Sequence, residues 1–106
     1  MPIDSRMRPF NLETINKTPD YQGAYELYEG NQCIYVGATE KSRGIRNSLK
    51  YHFSGGITGT AAKVDGFKVL PSTYPLSERQ RLLRRYKFDN GRLPRFNKAA
   101  SKGKNK

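Results

Sequence analysis

Cysteine is almost missing from this chain. Cys33 is the single one in 106 residues, so no internal disulfide can form. It falls at the start of an expected strand and reads as a small strand or core residue. Histidine is equally scarce. His52 stands alone, and no Cys/His cluster has zinc-finger spacing. Tryptophan is absent. No apolar run approaches the roughly 18 residues of a membrane span, and the N-terminus shows no secretory apolar segment. The expectation is a soluble intracellular protein, cytoplasmic or nucleoid-associated, with no membrane partner. Acidic residues are few as well: 9 against 20 Lys and Arg, a net charge of +11.

The charge is unevenly placed. Residues 1–40 hold three basic and six acidic side chains. The remainder holds 17 basic ones against only Asp65, Glu78 and Asp89. Such asymmetry favours a polyanionic partner, most simply nucleic acid. Ribosomal proteins share this composition, so charge alone does not make an enzyme. At this length the chain forms one small domain with one modest core.

Residues 1–18 read as an irregular lead-in whose Phe10, Leu12 and Ile15 cover one edge of the core. Pro19-Asp20 punctuates before the first strand. Gly23–Tyr28 reads as a strand with Tyr25 and Leu27 on one face and Ala24, Glu26 and Tyr28 on the other. Cys33–Gly37 reads as a second strand. Side chains alternate along a strand, so the loop between the two sets whether Tyr25 and Tyr35 share a face. A two-residue Gly30-Asn31 turn would separate them. A three-residue loop, Glu29-Gly30-Asn31, would pair them directly, with Asn31 in the left-handed region. The odd-length loop is therefore expected if the tyrosines work together.

Thr39–Gly44 reads as a polar loop. Ile45–Phe53 reads as a helix with Ile45, Leu49, His52 and Phe53 on one stripe, ended by Gly55-Gly56. A small-residue loop follows over 57–65. Phe67–Leu70 reads as a third strand. A second helix is expected from Ser77, with a Ser77-x-x-Gln80 capping box, Glu78 in the first turn, and Leu82, Leu83 and Tyr86 facing the core. Asp89-Asn90-Gly91 stops it near Phe88. The basic tail 99–106 reads as disordered.

Gly23-Ala24-Tyr25, followed by Ile34-Tyr35-Val36-Gly37, then His52-Phe53, the Glu78 helix and Leu93-Pro94-Arg95-Phe96-Asn97, resembles the GIY-YIG nuclease superfamily. The order and rough spacing match over about residues 19–98. The resemblance implies an α+β domain: a small three-stranded antiparallel sheet flanked by helices. It implies an endonuclease that hydrolyses phosphodiester bonds in DNA with one Mg²⁺ or Mn²⁺ ion. Structured or damaged DNA is within its scope, and RNA is not excluded. It also implies site residues. Tyr25 would be the general base, with Tyr35 orienting it or the phosphate. Glu78 would hold the metal. Arg46, or Arg43 in second place, would bind the phosphate. His52 would either hydrogen-bond a catalytic tyrosine or act on the phosphate. Gly37 and Asn97 would support the site. The chain departs from the pattern at Ala38, where some members carry a Lys near the tyrosine. That shifts weight to His52 or a metal-bound hydroxide.

The residues suit such chemistry on their own terms. Phosphodiester hydrolysis needs an activated water, charge stabilisation on the phosphate and help for the leaving oxygen. A hard cation takes carboxylate oxygen and can rest on one carboxylate plus substrate phosphate. Lys50, Arg81, Arg84, Arg85 and Arg95 are candidates for tracking a nucleic-acid backbone. From a different class, a non-catalytic nucleic-acid-binding module on the same scaffold also fits. Either reading leaves room for a partner protein that supplies targeting.

Overall fold

A computed structural model describes residues 7–39, 43–54 and 64–97. The Gly55-Gly56 stop, most of the loop expected over 57–65 and the basic tail from 99 lie outside the described residues. The fold is α+β. In chain order the elements are β1 (Arg8–Pro9), α1 (Leu12–Lys17), β2 (Gly23–Glu29), β3 (Gln32–Ala38), α2 (Ile45–Phe53), β4 (Gly66–Pro71) and α3 (Pro75–Asn90). The sheet is antiparallel, in the order β1-β4-β2-β3.

The sheet has four strands rather than the three expected. The extra one is β1, in the segment read as an irregular lead-in. It pairs Arg8 with Phe67 and Pro9 with Gly66. Two residues show no alternation, and Pro9 is tolerated because it sits on an edge. α1 was hidden for a similar reason: one and a half turns are too short for a periodic stripe. Its start is nonetheless capped, the Asn11 side chain accepting from the Thr14 N–H at 2.8 Å. Phe10 and Ile15 enter the core as expected, but Leu12 is 47% exposed.

Alternation along the strands separates two apolar layers. Tyr25, Leu27, Phe67 and Val69 join Ile15 of α1 and Ile45 and Leu49 of α2 on one face. Ala24, Cys33, Val36 and Leu70 meet Leu82 of α3 on the other, with Leu83 and Tyr86 against them. The buried Cys33 is thus the strand residue expected, its thiol pushed up to about 12, first by burial.

α3 begins at Pro75, not Ser77. Tyr74 is its N-cap, with no side-chain cap bond, so the Ser77 box does not form. The locked φ of proline suits the first helical position, and that preference wins over the box. Glu78 remains in the first turn, and Gly91 ends the helix at φ 77, a left-handed value. Among the described residues, no helix is long and apolar enough to cross a membrane.

Candidate active site

The tyrosine hairpin reaches the expected outcome by a different route. Its turn is the two-residue Gly30-Asn31, Glu29 pairing with Gln32. Gly30 takes φ 62 and no other residue does so here, as a turn of type II′ requires. Asn31 is therefore not left-handed, and the three-residue loop is not formed. Parity is changed further in. Tyr28 pairs with Cys33 but Leu27 pairs with Tyr35, so Ile34 is the extra residue of a β-bulge. Beyond it Tyr25 lies opposite Gly37, and Tyr25 and Tyr35 share a face on a diagonal. Their ring centroids are 6.4 Å apart.

Each supporting residue has a mechanical task. A Cβ on Gly37 would overlap the Cζ and Oη atoms of Tyr25, so only glycine lets the phenol lie across β3. Asn97 reaches the outer edge of β3. Its Oδ1 accepts from the Val36 N–H at 2.7 Å and its Nδ2 donates to the Val36 carbonyl at 2.9 Å. The side chain imitates a neighbouring strand at the position between Tyr35 and Gly37. It is fully buried, as a doubly satisfied amide can be. Asp20 performs a similar service for α2. Its carboxylate accepts from the Asn47 N–H at 3.2 Å and from Asn47 Nδ2 at 2.7 Å, serving a helix whose own N-cap, Gly44, has no side chain.

α2 delivers the histidine. His52 Nε2 lies 2.9 Å from Tyr25 Oη, and both side chains are buried. The imidazole also approaches Tyr35 and Tyr51, at 5.1 and 5.6 Å between centroids. Burial pulls its pKa down to about 4, so it is neutral at pH 7. Its Nδ1 is buried with no hydrogen-bond partner among the described residues. That orphan bears on the tautomer. A buried N–H without an acceptor is rarer and costlier than an unused acceptor lone pair. The arrangement thus favours the tautomer with the proton on Nε2, donated to the phenol oxygen of Tyr25. A donor held there stabilises negative charge on that oxygen.

A cavity of about 390 Å³ opens over this group, lined by Tyr25, Tyr35, Ala38, Arg43, Ser48, Tyr51 and His52. Of the two candidate arginines, it is Arg43 that lines it. Its guanidinium is also 5.9 Å from the Tyr51 centroid. Arg46 is not a lining residue. The helix explains this: Ser48, Tyr51 and His52 form one i, i+3, i+4 stripe, and a position two before Ser48 is turned about 200° away. Tyr35 is raised above the ordinary phenol value by burial, an effect opposed by the positive charge of Arg79. Arg79 and Tyr51 were not singled out from the sequence. Tyr51 lay next to the only histidine, which was the available signal.

Glu78 does not line the cavity. Arg81 donates to its Oε1 through both Nε and Nη2, and Ser72 Oγ donates to Oε2 at 3.4 Å. The Arg81 hydrogen bond leads in holding its carboxyl below the ordinary value. Among the described residues, no three His, Cys, Asp or Glu side chains gather to hold a metal. Glu78 still offers one ionised, partly accessible carboxylate. That suffices only for a cation that keeps most of its waters and shares substrate phosphate.

The basic candidates divide in two. Arg81 pairs with Glu78, Arg85 with Asp89 at 3.5 Å, and Arg95 with Glu29 at 3.2 Å. Lys50 and Arg84 are exposed. Neither a protein-family model nor a curated protein matches this chain.

Proposed function

We propose that this protein is a metal-dependent endonuclease of the GIY-YIG type, acting on phosphodiester bonds in DNA. The hydrogen bond between buried Tyr25 and neutral His52, at the floor of a cavity that also presents Tyr35 and Arg43, carries the reading. Packing alone does not require a phenol and an imidazole to meet beside an open cavity. Hydrolysis does require a group able to take a proton from water.

In this reading the phenolate form of Tyr25, its negative charge held by Nε2–H of His52, accepts the proton of the attacking water and becomes the phenol. Tyr35 orients that oxygen or the phosphate. Arg43 neutralises the phosphate through its planar guanidinium, in place of Arg46. Glu78 would anchor one Mg²⁺ or Mn²⁺ after release from Arg81. The ion supplies charge neutralisation at the phosphate and help for the leaving oxygen.

The test is cleavage of labelled single-stranded, duplex, flap and junction DNA with Mg²⁺ or Mn²⁺. Tyr25→Phe and Glu78→Ala should each lower the rate by at least about 100-fold. Unchanged cleavage in both variants would sink the assignment. Affinity for DNA with no product under any condition would instead favour the non-catalytic binding module.

A further inference from the structure

We propose that the outward face of α3 is a second nucleic-acid contact, where Phe88 stacks on an unpaired base. The proposal rests on the nucleic-acid reading above and names the form of substrate that reading leaves open. Phe88 is 88% exposed, the largest exposure among the large apolar side chains of the described residues. α3 buries Leu82 and half-buries Leu83 and Tyr86, and Phe88 lies on the opposite side of the helix from that stripe. Nothing in the sheet calls for a phenyl ring there, and solvation disfavours it.

Its surroundings select the occupant. Arg84 and Arg85 stand one turn before Phe88, and Arg92 follows the helix end. Arg85 is paired with Asp89, but Arg84, Lys87 and Arg92 have no ion pair among the described residues. An exposed aromatic ring with arginines one turn before it and just past the helix end fits a polyanion that also carries flat apolar groups. Single-stranded nucleic acid is that ligand, because its bases are available for stacking while its phosphates meet the guanidinium groups. In a duplex the bases are already stacked, and a phenyl ring enters only by unstacking them. The face also lies across the sheet from the tyrosine cavity, since α3 covers the Ala24–Val36 layer and α2 the Tyr25 layer. One strand engaging both must turn around the domain, which a flexible single strand does more readily than a straight duplex.

The experiment measures binding of fluorescein-labelled, mixed-sequence single-stranded and duplex oligonucleotides in EDTA, with F88A, F88W and R84Q/R92Q. F88A should weaken single-strand binding by about 5- to 100-fold and duplex binding far less. F88W should restore affinity. Its indole is the only one in the chain, and its emission should be quenched by the single strand. R84Q/R92Q should lower the salt slope for single strands by about 1.4. Single-strand affinity of F88A within twofold of wild type, or unquenched F88W emission, overturns the proposal. Phe88 is exposed, so F88A should keep the wild-type unfolding midpoint, and the binding result then reports on the contact. Metal-free binding is independent of catalysis. Cleavage lost in Tyr25→Phe with F88A binding intact refutes this face alone. Weakened F88A binding with no cleavage by wild type refutes the nuclease alone.

Discussion

The phenol of Tyr25 lies across the backbone of Gly37, the residue paired with it on the next strand. One tyrosine thus occupies the volume where its partner's side chain would be, and the site depends on that vacancy being kept. Gly37→Ala should push the ring off His52. We expect a loss of about 1–3 kcal/mol in urea unfolding together with a large fall in cleavage. Gly37→Ala with full activity would show that the ring position is not needed.

Asn97 should behave as part of the sheet. Asn97→Ala leaves the Val36 N–H and C=O without their partner, and should cost about 2–4 kcal/mol in chemical denaturation. Hydrogen exchange at Val36 should accelerate. A cost under half a kcal/mol would mean that water replaces the side chain without penalty.

Arg43 and Arg46 should separate in kinetics. Arg43→Ala is expected to lower kcat by roughly 100-fold, the effect of removing one group that meets developing charge. Arg46→Ala should change it less than threefold. The opposite ranking would return the phosphate contact to Arg46.

His52 should make stability fall with acid. Its folded pKa of about 4 lies below the ordinary 6.5. Between these values the unfolded chain holds a proton that the native one lacks, so stability is complete above pH 6.5 and declines towards pH 4. The full loss is roughly 3 kcal/mol. Glu26, raised chiefly by burial, acts in the opposite sense above pH 4.5. The difference between wild type and His52→Gln isolates the histidine. Parallel pH profiles for the two would contradict a buried neutral imidazole.

Much of the fold was legible in the residues. α2 was readable because Ile45, Leu49 and His52 recur at helical spacing, and β2 and β4 because β-formers end at Gly and Pro. β1 and α1 were not, being two and six residues long. The start of α3 was misread because two signals competed and proline prevailed. In the site, the Tyr25, Tyr35 and His52 grouping followed from the pattern. Preferring Arg46 over Arg43 did not, because a position within a helix points by angle and not by nearness in sequence. Glu78 and Arg79 are adjacent, yet Arg79 acts on Tyr35 while Glu78 turns to Arg81.

The bulge at Ile34 has a consequence for how this hairpin can vary. Its turn is on the surface, where insertions and deletions are ordinarily cheap. Here a single added or removed residue between Leu27 and Tyr35 would reverse the facing of every later β3 side chain unless the turn or the bulge changed with it. Tyr35 would leave the cavity and Val36 would enter it. Changes of two residues preserve the arrangement. The segment joining the tyrosine motifs therefore tolerates a change of odd length only where turn and bulge compensate together, a constraint of arithmetic rather than of chemistry.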